Sequence, residues 1–444
     1  MVTIGGSERL RWKMTELPFL DLPGTSHVVA TAMSPDGAVT GRSGSTLSTV
    51  GWHAFVWTND EGMRPCIDHG WALSMGQAIN RHHTVAGTVN LCPDDTGPCQ
   101  SAPALMQTNT PAELLGPLLD RSSIISGISE SGHVIFEQPE EDSWNYRGHV
   151  AMPAGDVIEL PLPEGTWSVD LSPPFFMDGS DDTFFITGIA WTAPARQPMQ
   201  WAVNMKTGDA TGLVLPNTEG GEAHTMLSDG TILGRRTHSG ITVPTQWSPP
   251  WTTYMDLAAP QSGMLWDAAL FGDQDGRRVG RVYVDSRDAA WHLNTDGVLT
   301  ILDADQLGLP PSDIVPKAML PDGSILINAI DSMFYTSTLG TWREDTGFLP
   351  LVDRALNADF LNELGTYDLI TGAQDGSCVI NRYPYAWSAA AIQAGDVDGN
   401  GTVSVDDLLQ LIAIWGPCDP SCFEDLNGDG LIGTDDLLAV LSTL

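Results

Sequence analysis

The sequence predicts a mostly β chain: a β-propeller of about eight four-stranded blades (seven is the alternative count), followed by a small α-helical module. Three observations predict it. Gly 46 and Pro 30 among 444 residues break the chain into short apolar runs, which suits many strands and turns rather than long helices. A strand–turn–strand unit recurs about every 48 residues. Composition then changes abruptly at residue 395.

The turn reads SPDG at 34–37, INRH at 79–82, SESG at 129–132, MDGS at 177–180, SDG at 228–230, DQDG at 273–276, PDG at 321–323 and QDG at 374–376. Taken at positions 36, 81, 131, 178, 229, 275, 322 and 375, the spacings are 45, 50, 47, 51, 46, 47 and 53. Asp-Gly marks a hairpin because the turn needs φ > 0, which Gly adopts without steric cost. A short apolar strand follows each turn, as in AVTG, TVAGTV and TILG. A third strand often carries an aromatic, as in HAFVW (53–57), MQWAV (199–203), AAWHL (289–293) and YAW (385–387). A fourth opens with Gly, as in GMRPCI (62–67), GVLTILD (297–303) and GFLPLVD (347–353). Four strands per unit, eight times over, is propeller arithmetic. The eighth unit stops after YAW, whereas TELPFLDLPG (15–24) reads as a fourth strand with no unit before it. The two ends are therefore expected to share a blade and latch the ring, which removes exposed edges. On this reading residues 1–14 are an N-terminal extension, 15–392 the propeller and 395–444 the module.

The first unit carries a family resemblance. GWHAFVWTNDEGM (51–63), preceded by ATAMSPDGAVTG (30–41), resembles the HAF-type extracellular repeat, named for the triplet that here is His53, Ala54 and Phe55. The resemblance implies secretion and a propeller-like β fold; later units keep the turn and the aromatic but not the triplet.

Residues 395–444 hold nine Asp, one Glu and no Lys or Arg, so they carry −10 of the chain's −36. DVDGNGTVSVDDLLQLIAIW from 396 and DLNGDGLIGTDDLLAVLSTL from 425 align at an offset of 29 residues. Each has the D-x-[DN]-x-[DN]-G signature and an acid at loop position 12, the pattern that wraps a hard Ca²⁺ in oxygen ligands. Two ions are expected. The first would be held by Asp396, Asp398, Asn400, the Thr402 carbonyl, Ser404 directly or through water, and Asp407. The second would be held by Asp425, Asn427, Asp429, the Leu431 carbonyl and Asp436, with water at position 9, where Gly433 has no side chain. Gly401 and Gly430 supply the sharp turn at position 6. Amphipathic helices should follow, in which Leu408, Leu409, Leu411, Ile412 and Trp415 recur as Leu437, Leu438, Val440, Leu441 and Leu444. Leu409, Ile412, Leu438 and Leu441 are expected to be buried between the helices.

Loop plus exiting helix, twice, with Asp at position 12 in both, resembles a type I dockerin, an EF-hand-like module. The resemblance implies calcium-dependent docking onto a cohesin-like protein. Where a dockerin usually presents a Ser-Thr-like pair, this chain has Val405, Asp406 and Thr434, Asp435.

Charge and motifs narrow the remaining classes. Lys+Arg 20 against Asp+Glu 56 argues against nucleic acid, because few cations are available to neutralise phosphates. No apolar run approaches the ~20 residues of a spanning helix. Short Cys loops, LCPDDTGPC (91–99) and CDPSC (418–422), suggest disulfides Cys92–Cys99 and Cys418–Cys422 and an oxidising compartment. With no signal peptide in MVTIGGSERLRWKM, an extracellular or cell-surface location is the expectation favoured by the acidic, Lys-poor composition. No catalytic motif emerges, and no catalytic residue is assigned. His82-His83 reads as a surface pair. The acidic clusters at 140–144, 178–182 and 273–276 read as solvated turns, and the recurring Trp as core. Two functions follow: a secreted calcium-binding scaffold that docks to a cohesin-like or cell-envelope protein, or a polysaccharide-degrading hydrolase or lyase carrying a dockerin. Carboxylates facing each other across the channel would favour the second.

Overall fold

The fold is seen in a computed structural model that describes residues 11–22, 25–45, 51–67, 73–91, 99–140, 143–173, 182–217, 219–258, 264–320, 322–331, 333, 336–356, 361, 368–371, 376–393, 395–418, 424–427 and 430–444. Eight blades form an eight-bladed β-propeller. The first seven span 27–65, 73–114, 124–159, 166–214, 221–256, 264–302 and 313–350, and in each the four strands are antiparallel and in sequence order.

The eighth blade takes Asp368–Thr371, Cys378–Arg382 and Tyr385–Ala391 from the end of the ring and its fourth strand from the start of the chain. That strand is Trp12–Glu16, running antiparallel to Tyr385–Ala391 in the register Trp12 to Ala391 and Glu16 to Trp387. It therefore begins earlier than the expected 15–24. It also ends earlier, at Glu16, because Pro18 has no N–H to continue the ladder. Beyond Leu17, whose N–H still reaches the Ala386 carbonyl at 2.8 Å, the chain leaves the sheet. Leu17 and Leu20 are then buried with Val28, Val39, Phe55, Val379 and Ala386, filling the seam between blades eight and one. The Leu20 N–H donates to Ser43 Oγ at 3.1 Å, in blade one.

The turns form as their residues require. Gly37, Gly132, Gly230, Gly276, Gly323 and Gly376 have φ of +88°, +88°, +82°, +94°, +79° and +90°. Blade two has His83 there, at φ +57°, in a turn braced by Asn80 Oδ1, which accepts the N–H groups of His82 and Thr84. The fourth-blade turn, MDGS at 177–180, lies outside the described residues. A second set of glycines is structural for a different reason. At Gly41, Gly87, Gly188, Gly234 and Gly280 an added Cβ would lie 2.1, 2.0, 2.2, 2.0 and 2.2 Å from the carbonyl oxygens of Val29, Met75, Asp170, Glu222 and Ala268. Each carbonyl belongs to the innermost strand of the same blade, beside a β-bulge in blades one, two and five.

The third-strand tryptophans are core. Trp201, Trp247 and Trp291 are fully buried and Trp57, Trp342 and Trp387 nearly so. Trp201 and Trp247 donate Nε1–H to the Pro161 and Pro216 carbonyls, each at 2.8 Å, tying third strands to the chain leaving the outermost strand of the preceding blade. Within the HAF triplet, Ala54 and Phe55 are core residues of the third strand His53–Thr58.

Ring closure yields a measurable consequence. Trp12 is buried and donates Nε1–H to the Gly376 carbonyl at 3.1 Å. Trp12→Ala is expected to cost about 3–5 kcal/mol and to lower the thermal midpoint followed by circular dichroism. An unchanged midpoint would show that this strand does not carry closure.

Candidate metal centre

After Ala391 the chain turns directly into the first acidic loop, which leads into helix α1 (Val405–Ala413); the second loop leads into α2 (Thr434–Thr443). The two loops fold alike. Gly401 N–H donates to Asp396 Oδ2 at 2.9 Å, and Gly430 N–H to Asp425 Oδ2 at 2.8 Å. Asp407 Oδ1 accepts Val397 N–H at 2.7 Å and Asp398 N–H at 3.2 Å; Asp436 Oδ1 accepts Leu426 N–H at 2.8 Å and Asn427 N–H at 3.3 Å. The Oδ2 atoms of Asp407 and Asp436 accept the Ser404 and Gly433 N–H groups, both at 2.8 Å. Each position-12 acid thus folds its loop back and caps its own helix.

In the first loop, carboxylate oxygens of Asp396, Asp398 and Asp407 lie within 4.8 Å of one another. Asp396 and Asp407 are buried, and Asp398 is exposed. Burial, with the charge of Asp407 adding to it, raises the Asp396 carboxyl above its ordinary value despite N–H bonds from Gly401 and Asn400. Burial also works against ionisation of Asp407, but backbone N–H groups of Ser404, Asp398 and Val397 outweigh it and hold that carboxyl low. Asn400 Oδ1 accepts Thr402 N–H at 2.9 Å, and Ser404 Oγ caps α1 by accepting Asp406 N–H at 3.1 Å. Converging, partly buried oxygens with no cation among 395–444 suit a hard divalent ion. In the second loop Asp425, Asn427, Leu431 and Asp436 are described, and Asp429 lies outside the described residues. Leu431 sits in a short ladder with Pro417.

The helix faces depart from expectation. Leu411 and Val440 are buried with Val397, Leu426 and Ile432. Leu409, Ile412, Leu438 and Leu441, expected between the helices, are 57%, 54%, 44% and 49% exposed. The loops set the helix phase: Asp407 and Asp436 must point inward to close them, and the residues four positions on, Leu411 and Val440, share that face. The other leucines are turned outward.

Among the described residues of the propeller, the Glu222 and Asp267 carboxylates are each held by arginines of two neighbouring blades. Glu222 binds Arg196 and Arg235, the latter at 2.7 Å. Asp267 binds Arg235 and also Arg281, at 2.6 Å. Burial disfavours the Glu222 anion, yet His224, Arg235 and Arg196 together hold its carboxyl well below the usual range. Asp170 accepts Trp191 Nε1–H at 2.8 Å. Acidic clusters in described turns are also paired: Glu140 with Arg147 at 2.7 Å and Asp273 with Arg277 at 2.5 Å. His83 Nε2 lies 3.4 Å from Asp36 in the neighbouring turn. Cys99 is disulfide-bonded. Cys92 and Cys422 lie outside the described residues, and Cys418 is half-buried in the module core.

Nothing in the sequence marks Glu137, a propeller carboxyl raised far above its ordinary value. Its pKa is raised from 4.5 to about 7, chiefly by burial and further by Asp170, against hydrogen bonds from Leu171 N–H and Ser126. Between these values the folded state keeps a proton that the unfolded state releases, so this contribution to stability is present below about 4.5 and lost as pH rises through about 7. Glu137→Gln keeps an acceptor for Leu171 N–H, 2.6 Å from Oε1 in the native chain. It is expected to raise the thermal midpoint at pH 8 and change it little at pH 5. Equal shifts at both pH values would show that Glu137 does not titrate this way.

No family model matches the chain, and no curated protein matches it. Solved structures do. It is similar to oligopeptidase B from Leishmania major at 9% identity and a TM-score of 0.50, over 85% of this chain and 54% of that one. It is also similar to dipeptidyl peptidase 4 of Porphyromonas gingivalis, at 9% identity, TM-score 0.49, 82% and 58% coverage. The propeller domain of the trilobed protease from Pyrococcus furiosus matches at 11% identity, TM-score 0.44, 72% and 93% coverage. The chain spans little more than half the length of the two full peptidases. At these identities the likeness concerns fold alone, a β-propeller.

Proposed function

We propose that this chain is a secreted calcium-binding scaffold: a HAF-like β-propeller carrying a dockerin-like module with two Ca²⁺ loops and a protein-docking face. The observation that carries the reading is the duplication of one hydrogen-bond pattern at an offset of 29 residues, from position-1 acid to position-12 acid. Acidic turns that bind nothing have no reason to repeat it. Asp396, Asp398, Asn400, Asp407, the Thr402 carbonyl and Ser404 would hold one ion, and Asp425, Asn427, Asp429, Asp436 and the Leu431 carbonyl the other. Bound calcium relieves the repulsion among carboxylates that these folds bring together.

The docking face is the pair of outward stripes, Leu409 and Ile412 on α1 and Leu438 and Leu441 on α2. Asp406 and Asp435 flank them in the first turns. The partner is therefore a cohesin-like or cell-envelope protein with an apolar centre and a basic rim. Ion pairing of Glu222 and Asp267 gives a hydrolase or lyase reading less support, since a glycosidic carboxylate pair must be available to substrate.

Calorimetric titration of the full chain is expected to show two calcium ions, with Asp407→Ala and Asp436→Ala each removing one. Absence of binding heat and of any calcium-dependent protection of α1 and α2 from proteolysis would end the calcium reading. Leu409→Asp is expected to leave both ions bound and to abolish retention of a cell-envelope partner. Retention equal to the native chain, or insensitive to chelator, would remove the docking face.

A further inference from the structure

The first acidic loop also contacts the start of the closing strand. Its backbone is gripped by both residues flanking Trp12 at the start of the closing strand. Lys13 Nζ donates to the Gly399 carbonyl at 2.9 Å, and Arg11 Nη2 to the Asp396 carbonyl at 3.2 Å. In return Ile392 N–H, a few residues ahead of the loop, donates to the Arg11 carbonyl at 2.8 Å. Arg11 is buried by these contacts. Gly399 packs so closely on the outermost strand of blade eight that an added Cβ would lie 2.7 Å from Leu356 Cδ1. Leu356 itself pairs with Lys13, so the closing strand is held by Tyr385–Ala391 on one side, Ala355–Leu356 on the other, and the acidic loop at its start.

We propose that the first calcium loop is the clasp of the propeller ring, so that ion binding there and seating of the Trp12–Glu16 strand stabilise each other. The proposal rests on the calcium reading above. The carbonyls that Lys13 and Arg11 use are displayed only while the loop is wrapped. Without an ion the Asp396, Asp398 and Asp407 carboxylates, within 4.8 Å of one another, drive it open. An opened loop releases both cations, and the strand loses its grip at the end where the ladder starts. By linkage the effect is reciprocal: a strand seated through Lys13 preorganises the loop and strengthens its affinity for the ion.

The test uses the full chain, calcium alone as ligand, calorimetry to count sites, and near-ultraviolet circular dichroism to follow propeller melting with saturating calcium or with chelator. Native protein is expected to bind two ions and to melt several degrees higher with calcium. Lys13→Met, on an exposed side chain whose aliphatic stem the substitution keeps, is expected to retain both sites. It should bind one ion about three- to tenfold more weakly and lose at least half of the calcium-dependent rise. Asp396→Asn is expected to lose one ion and more of the rise than Asp425→Asn, which loses the other. The clasp is overturned if native protein binds calcium while Lys13→Met keeps the whole rise. Equal losses in Asp396→Asn and Asp425→Asn overturn it too, by placing the effect in the module generally. Native protein that binds no calcium overturns the calcium reading itself, and is distinguished by the first measurement.

Discussion

Every blade of this propeller buries its faces against two neighbours, so the ring depends on the one seam that closes it without a covalent link. That seam is the ladder of Trp12–Glu16 on Tyr385–Ala391. Sequence-adjacent blades are joined by short linkers, and the closing strand itself runs on through residues 17–26 into blade one, so the ring is closed within blade eight by strand pairing and packing alone. The N-terminal segment supplies core on both sides of the eighth blade: Trp12 and Met14 pack with Leu326, Leu339, Cys378 and Ile380, while Leu17 and Leu20 pack with Val28, Phe55 and Val379. Losing the segment would remove a strand paired on both sides and open two interblade cores at once. A few residues thus have leverage over cores built by the whole ring.

Much of this architecture was legible because its turns demand a particular backbone. Positive φ at a two-strand turn selects Gly, so Asp-Gly and Ser-Gly pairs marked the blades even at spacings that varied with loop length. The second-strand glycines recur as regularly but were not legible as structural. Gly41, Gly234 and Gly280 each stand four residues beyond the turn glycines Gly37, Gly230 and Gly276. Their cause is a close carbonyl approach across the blade rather than a dihedral, and nothing local in the sequence distinguishes that from a flexible glycine. The closing strand was placed late for a related reason. Apolar content runs on through Leu17, Phe19 and Leu20, but Pro18 ends the ladder, and burial without pairing looks the same as a strand in a hydrophobic pattern.

In the module, two matched acidic turns each leading into a helix were legible, and the helix packing was not. Apolar positions on α1 and α2 cover more than one face, so periodicity alone leaves the phase open. It is fixed by the carboxylates: Asp407 and Asp436 turn inward to accept loop N–H groups, bringing Leu411 and Val440 in behind them. A polar constraint at the first turn thus decides which leucines enter the core. Buried charge also organises the propeller, where Glu222 collects Arg196, Arg235 and His224, partners from two blades that no sequence spacing links.

Charge distribution gives the ring closure a direction. The chain has a formal net charge of −36, of which the last fifty residues carry −10 without one cation of their own. The cations that reach the first acidic loop, Arg11 and Lys13, come from the opposite end of the chain. Opposite charge on the two ends favours their contact at the start of the ladder. Strand pairing alone tolerates slippage, because an edge strand can shift by two residues and still present the same face. Two side chains that must each find a defined carbonyl, on either side of a buried Trp12, do not. The observed register, Trp12 to Ala391, is the one in which both side chains reach the acidic loop.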